Sequence, residues 1–76
     1  MKNLIRFLIT NIVDQPEAVV IKEKKEGESI IYLIDVAEKD RGKVIGKEGK
    51  VIQALRNLVN IKAQKEGSKI FLQLNF

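Results

Sequence analysis

The alternation of apolar and polar residues in the first half of the chain predicts a helix followed by two strands. Between Lys2 and Val13 apolar residues recur every three or four positions, the spacing of one helix face, and Pro16 marks the stop. From Ala18 to Lys25 the period changes to the twofold alternation of a strand. Glu26-Gly27 then predicts a turn into a second strand over Ser29–Val36, so this region is expected to form a hairpin.

The second half of the chain predicts two helices and a final strand. A short helix is expected over Glu38–Ile45, closed by Gly46 in the left-handed geometry that commonly ends helices. A longer helix starts at Gly49 or Lys50 and runs to about Lys65, and clean alternation over Lys69–Phe76 predicts a half-buried strand. The element order is therefore α-β-β-α-α-β.

This order favours an α+β fold with a three-stranded mixed sheet. Residues Ile30–Ile34 are apolar on both faces, which is typical of a central strand. A right-handed crossover through the two later helices would place the second and third strands parallel, with the first strand antiparallel beside the second. The simplest arrangement packs all three helices on one face of the sheet.

Length and composition bound the functions that are open to the chain. Seventy-six residues suit one domain, expected to span residues 1–76. The absence of cysteine and histidine excludes thiol and imidazole catalysis and the common zinc sites. The acidic residues show no catalytic spacing, and Gly42–Lys47 is one residue short of a phosphate-binding loop of the P-loop type. We therefore predict no enzyme activity, metal or cofactor. No apolar run is long enough to span a membrane, so we expect a cytoplasmic protein.

Positive charge is concentrated in one segment. The chain carries 14 basic and 10 acidic residues, a net charge of +4. Between Arg41 and Arg56 only Glu48 is acidic, whereas five residues are basic, so this segment alone accounts for an excess equal to that of the whole chain. Concentrated basicity favours a polyanionic partner. The five basic residues are Arg41, Lys43, Lys47, Lys50 and Arg56.

The same segment contains a Gly-x-x-Gly loop at Gly46-Lys47-Glu48-Gly49. Glycines allow a sugar-phosphate backbone to approach the main chain closely. The loop also opens a helix, whose first N–H groups and dipole favour phosphate. Two glycines at this spacing also suit a simple turn between helices, and the surrounding pattern decides between the two readings. Ile45 precedes the loop, and Ile52 and Leu55 follow its second glycine at plus three and plus six.

This pattern resembles the KH domain, whose signature is an isoleucine, Gly-x-x-Gly and two apolar residues three apart. The element order is similar to the type II form of the family, over essentially the whole chain, and within it to the small bacterial proteins of the KhpA family. The resemblance implies a clamp on the backbone of about four unpaired nucleotides of single-stranded RNA. It also implies an RNA chaperone or post-transcriptional regulator that acts with a larger KH-containing protein, KhpB, with a link to cell-wall homeostasis and cell shape.

The candidate RNA contacts are centred on the loop. Lys47 and Lys50 are expected to be the best phosphate contacts, with Lys43 and Arg41 flanking them. Ile45, like Ile52 and Leu55, is expected first in the core, with a further role in lining the groove. Tyr32 and Phe71 are expected to pack rather than stack on bases. The full set is Gly46, Lys47, Glu48, Gly49, Lys50, Lys43, Arg41 and Ile45.

Two features leave alternatives open. Glu48 puts a carboxylate where phosphate is expected, and either weakens binding or points away. The apolar stripe of the last helix is broader than packing on one surface requires, so part of it, at Ala54, Leu58 and Ile61, is a candidate interface for a homodimer or for a heterodimer with a KhpB-like protein. The alternative function is a protein-interaction module with little RNA affinity.

Overall fold

A computed structural model describes all 76 residues and confirms the predicted order of three helices and three strands. The longest helix, α3, has 17 residues, and none of the helices has the length and apolar character needed to cross a bilayer. Three short 3₁₀ turns lie at Pro16–Ala18, Glu38–Asp40 and Lys47–Gly49. The elements are α1 (Lys2–Thr10), β1 (Val20–Glu26), β2 (Ser29–Asp35), α2 (Arg41–Ile45), α3 (Lys50–Glu66) and β3 (Lys69–Leu74).

The sheet has the order β1-β2-β3, with β2 in the centre as the sequence predicts. Strands β1 and β2 form an antiparallel hairpin in which Ile21 pairs with Ile34. Strands β2 and β3 are parallel, and Ile34 pairs with Leu74. The crossover through α2 and α3 therefore joins two parallel neighbours, and it leaves β3 as an edge strand.

The core lies between the helices and one face of the sheet. The buried strand residues all point to this face, whereas the opposite face is exposed or half-buried. The second part of β1, from Lys22 to Glu26, is exposed on both faces. A burial of this kind, one face of a sheet and one stripe of each helix, is the solution that amphipathic elements allow. The core comprises Ile5, Ile9, Val13, Val19, Ile21, Tyr32, Ile34, Val36, Val44, Ile52, Leu55, Val59, Ala63, Ile70 and Leu72.

The first helix ends three residues earlier than the apolar pattern predicts. The Thr10 hydroxyl donates to the carbonyl of Arg6 at 2.7 Å, and the Asn11 side-chain amide donates to the carbonyl of Phe7 at 2.6 Å. These side-chain bonds add to the backbone bond from the Asn11 N–H to the Phe7 carbonyl and compete with continuation of the helix. The chain continues as a turn, so Val13 still reaches the core although it lies outside α1.

Candidate nucleic-acid interface

The loop between α2 and α3 contains three residues with positive φ, Gly46, Glu48 and Gly49. Gly46 has φ 77° and ψ 171°, a combination essentially restricted to glycine. Glu48 (φ 58°, ψ 25°) and Gly49 (φ 74°, ψ 15°) adopt the left-handed helical region. The expectation of a left-handed helix cap at Gly46 is wrong, because its ψ is extended. The extended conformation reverses the chain so that α3 can begin four residues later.

Gly46 is also required by packing. A Cβ at this position would lie 2.7 Å from Val51 Cβ and 2.8 Å from the Val51 backbone nitrogen. Both separations are far inside van der Waals contact, and the backbone nitrogen cannot rotate away. The first glycine of the loop therefore brings its main chain directly against the first turn of α3.

The start of α3 is prepared for an anion. The helix begins at Lys50, its first turn contains no acidic residue, and Gly49 supplies no capping side chain. Within α3 itself, therefore, no side chain caps or neutralises the positive end of the helix dipole. Lys47 and Lys50 are exposed, and neither forms an ion pair. Of the predicted contacts, these two lysines and the loop backbone are the groups that remain free for a phosphate.

Glu48 is exposed on the same loop and forms no ion pair with the neighbouring lysines. It is the one residue other than glycine with positive φ in the chain, a conformation that costs an ordinary side chain about 1–2 kcal/mol. Glu48 thus adds both a negative charge and local backbone strain to the loop.

The two flanking basic residues are engaged by acidic partners. Lys43 donates a hydrogen bond to Asp14, lies 3.9 Å from Asp40, and has its pKa raised, chiefly by the hydrogen bond to Asp14. The Arg41 guanidinium lies 3.9 Å from Asp35 and 5.3 Å from the ring centre of Phe76. The concentration of positive charge that the sequence indicates is consequently weaker in space, because these carboxylates come from distant parts of the chain.

Asp40 is a structural residue of the site that the sequence pattern did not reveal. It is 1% exposed, and its carboxylate accepts hydrogen bonds from the backbone N–H groups of Asp14 (3.1 Å) and Gln15 (3.0 Å). Burial of a carboxylate requires such partners. Asp40 thereby fastens the connection after α1 to the start of α2, the helix that carries the loop.

The three apolar residues of the motif divide between core and surface. Ile52 and Leu55 are buried in the core as predicted. Ile45 is 37% exposed, so the expectation that it is first a core residue is wrong. It is the last residue of α2, where the extended turn at Gly46 carries the chain away from the sheet. Its apolar surface is available directly beside the loop.

A cleft of about 290 Å³ lies between α3 and the edge strand β3. Arg56 and Asn60 line it from one face of α3, four residues apart, and Arg56 lies about two helical turns after the loop. Arg56 Nε donates to the Leu72 carbonyl at 3.2 Å, which fixes the guanidinium over the strand edge. Arg56 was counted only as part of the basic segment, because the sequence does not show which helix face the edge strand meets.

The two aromatic residues considered for stacking behave differently. Tyr32 is buried as expected, and burial together with Glu23 raises its pKa. Phe71 is 53% exposed, so the expectation that it packs in the core is wrong. It lies on the face of β3 that no helix covers, and it lines the cleft together with Arg56.

The candidate interface residues Ala54, Leu58 and Ile61 are all exposed along α3. Ala54 and Leu58 line an apolar groove between α1 and α3, whose other wall includes the exposed ring of Phe7. The groove lies on a different face of α3 from the cleft beside β3. The structure therefore separates an apolar surface on one side of the helix from the loop and the strand edge on the other.

Comparison with known proteins gives a consistent result. The model of the family described as the KhpA/KhpB KH domain matches residues 2–74. A Chlamydia caviae protein named RNA-binding protein KhpA is 43% identical over 97% of this chain and 95% of its own. Proteins of the same name from Clostridium perfringens (39% identity, 99% of that protein) and Listeria monocytogenes (38%, 97%) each match over 97% of this chain.

Among solved structures, a crystal structure of an Aquifex aeolicus Era variant matches with a TM-score of 0.65 at 18% identity. The match covers 93% of this chain and 28% of that one, so this chain corresponds to a little over a quarter of its length. At this identity the similarity shows a shared fold.

Proposed function

The chain belongs to the KhpA/KhpB family of KH domains, and on that basis we propose that it is a non-catalytic protein that binds single-stranded RNA at the Gly46–Lys50 loop. The observation that carries the proposal is the loop itself. The loop is exposed at Lys47 and Glu48, and it precedes a helix whose N-terminus has no capping side chain. Lys47 and Lys50, on either side of Gly49, form no ion pair. A phosphate group meets all three requirements.

The cleft beside β3 supports single-stranded rather than double-stranded RNA. A backbone held at the loop would send its bases toward Ile45 and along the cleft lined by Arg56 and Asn60. A base can enter a cleft of this size only when it is unpaired and splayed from its neighbours. Arg56, whose Nε donates to the Leu72 carbonyl, is held at this cleft, where its guanidinium adds positive charge beside the bases.

The binding mode implies modest sequence specificity. One short cleft contacts few bases, and phosphate contacts supply a large share of the affinity, so binding weakens as salt rises. In the cell we propose a cytoplasmic RNA chaperone or post-transcriptional regulator that acts with a KhpB-like partner and influences cell-wall homeostasis and cell shape. Membership of the KhpA/KhpB family supports these finer assignments.

The proposal is tested by titrating a short unstructured RNA into the protein while recording backbone amide shifts. The largest shifts are expected at Gly46 to Lys50 and along the cleft-facing side of α3. The double variant Lys47→Gln, Lys50→Gln should bind at least tenfold more weakly, because two phosphate contacts are lost. Gly46→Asp is a poor test, since any side chain at that position distorts the loop.

The matched control is the double variant Lys25→Gln, Lys65→Gln, which changes the net charge equally. Both residues are exposed and unpaired, and Lys65 lies in the last turn of α3, about 25 Å along the helix from the loop. Equal losses in the two double variants would show a diffuse electrostatic attraction. Absence of shifts at the loop with any RNA would disprove the proposed site.

A second candidate function is protein association through the groove between α1 and α3. Three large apolar side chains in or near this groove are at least half exposed: Phe7, Leu58 and Ile61. Exposed apolar side chains that lie close together are typical of an interaction surface. We propose a homodimer, or a heterodimer with a larger KH-containing protein, that buries Ala54, Leu58 and Ile61. Such a dimer would present two loops and gain avidity.

Sedimentation of the wild type beside Ile61→Asp tests the association. A dimer that becomes a monomer supports it, whereas an unchanged mass excludes this interface. The salt dependence separates the two functions, since RNA affinity should fall steeply with salt and an apolar interface should not.

A further inference from the structure

The face of the sheet away from the helices is uncovered and has an ordered composition. The strand register places Lys24, Ile31 and Phe71 side by side in one row across the three strands. The next row on the same face contains Lys22, Leu33 and Gln73. Each row thus begins with a lysine on β1, passes an aliphatic residue on β2 and ends on β3. We call these six residues the open-face rows.

Phe71 connects the open-face rows to the proposed RNA path. Its ring is 53% exposed, and it lines the cleft beside β3 together with Arg56, Asn60 and Ile31. An RNA strand that runs from the loop along α3 would therefore reach Phe71 at the edge of β3. No other aromatic ring lies beside the cleft, so Phe71 is the one side chain there that can offer a flat surface to a base.

The charges on this face favour a polyanion. Lys22 and Lys69 form no ion pair, and Lys69 precedes Phe71 by two residues on the same face. The two acidic residues of the face are both occupied, Glu26 by Lys24 at 3.1 Å and Asp35 by Arg41 at 3.9 Å. Exposed apolar surface bordered by unpaired lysines suits a nucleic-acid strand, in which bases and phosphates alternate.

We propose that the open face of the sheet is a second RNA contact, on which Phe71 stacks with a base that lies beyond the nucleotides held at the loop, while Lys22 and Lys69 attract its flanking phosphates. This inference rests on the proposed function and extends it from the loop and cleft to the other side of the edge strand. It assigns to the chain a longer RNA site than the four nucleotides of a KH loop.

The first test compares two lengths of RNA on the variant Phe71→Leu, which keeps an apolar side chain but removes the ring. Alternating adenosine-cytidine oligomers of four and eight nucleotides serve as probes because they do not pair with themselves. For the eight-nucleotide RNA we expect an affinity loss of about fivefold or more, the effect of losing one stacked base. For the four-nucleotide RNA the affinity should stay within about twofold of the wild type. The control Phe71→Tyr, which keeps an aromatic ring at the same exposed position, should leave both affinities within about twofold of the wild type.

The second test uses the absence of tryptophan from the chain. In Phe71→Trp the new indole is the one tryptophan of the protein, and the eight-nucleotide RNA should quench its emission by stacking, whereas the four-nucleotide RNA should not. In Arg6→Trp, which places the indole at an exposed position of α1 outside the groove, neither RNA should change the emission.

The outcomes distinguish this inference from the function on which it rests. Loop shifts with both RNAs, together with equal affinities of Phe71→Leu and wild type for the longer RNA, would overturn the second contact and leave the loop site intact. A dimer that dissociates in Phe71→Leu without any change in RNA affinity would identify the face as a protein interface and would equally overturn it. Absence of loop shifts would remove both.

Discussion

Replacement of Gly46 by alanine should be the most damaging single methyl addition in this chain. The new Cβ would lie 2.7 Å from Val51 Cβ and 2.8 Å from the Val51 nitrogen. It would also force alanine to adopt φ 77° and ψ 171°, where its own backbone and Cβ clash. Relief of either problem moves the loop away from α3.

The two effects can be given magnitudes. A residue held in a glycine-only region costs about 1–3 kcal/mol, and overpacking by one carbon costs about 1–3 kcal/mol more. Alanine restricts the unfolded chain, which returns about 0.4–1 kcal/mol. The net loss is therefore about 1–5.6 kcal/mol, a large part of the stability of a domain this small.

Urea unfolding followed by circular dichroism measures the loss, and two other glycines provide matched controls. A Cβ at Gly49 meets nothing within 4 Å, so Gly49→Ala should cost only the left-handed strain, about 1 kcal/mol. Gly42 lies inside α2 with open space around it, and Gly42→Ala should stabilise by about 0.5–1 kcal/mol. With a slope of about 1 kcal/mol per molar urea, Gly46→Ala should lower the midpoint by about 1 M or more.

The order of the three variants is the critical result. If Gly46→Ala were no less stable than Gly49→Ala, the close approach to Val51 would not constrain the loop, and the account of the loop geometry would be refuted.

Further predictions concern the charges around the loop. Lys47→Gln should reduce the slope of log affinity against log salt by about 0.7, the value for one phosphate contact on a single strand. Lys43→Gln should leave the slope unchanged, because Asp14 already neutralises Lys43. Salt titrations of RNA binding measure both slopes. Glu48→Asn, which tolerates positive φ and removes the carboxylate, should raise RNA affinity severalfold at low salt, and an unchanged affinity would show that Glu48 points away from the strand. Because the pKa of Lys43 is raised in the folded protein, its ion pair stabilises the fold at neutral pH, and this contribution is lost as pH rises past about 10.5. Between about pH 9 and pH 12 the urea midpoint of Lys43→Met should therefore fall less than that of the wild type.

Periodicity predicted the elements well because the same constraint operates in the sequence and in the structure. Each helix and strand must present one apolar side to a shared core, so the spacing of Ile5, Ile9, Ile52 and Leu55 already identifies the buried faces. The end of α1 was not predictable in this way. It depends on hydrogen bonds from Thr10 and Asn11 to carbonyl groups, which leave the apolar pattern unchanged.

The site was predictable where its residues are neighbours in sequence and not where distant segments meet. The loop and its two free lysines form one short stretch, so pattern and charge located them together. Asp14 and Asp35 neutralise Lys43 and Arg41 from far along the chain, which a local charge count cannot detect. Phe71 was misjudged because a large ring was expected to pack, although the alternation of β3 and the expected packing of the helices on one face both place it on the uncovered face.

The buried carboxylate of Asp40 ties the ability to hold RNA to the integrity of the whole chain. Its two backbone partners, the N–H groups of Asp14 and Gln15, belong to the segment after α1. The helix that carries the loop is therefore anchored by residues that precede β1 in the chain. A fragment that begins at β1 would retain every loop residue and yet lack this anchor. RNA binding and folding are thus thermodynamically linked. A free RNA concentration of about one hundred times the dissociation constant would raise the free energy of unfolding by about 2.7 kcal/mol.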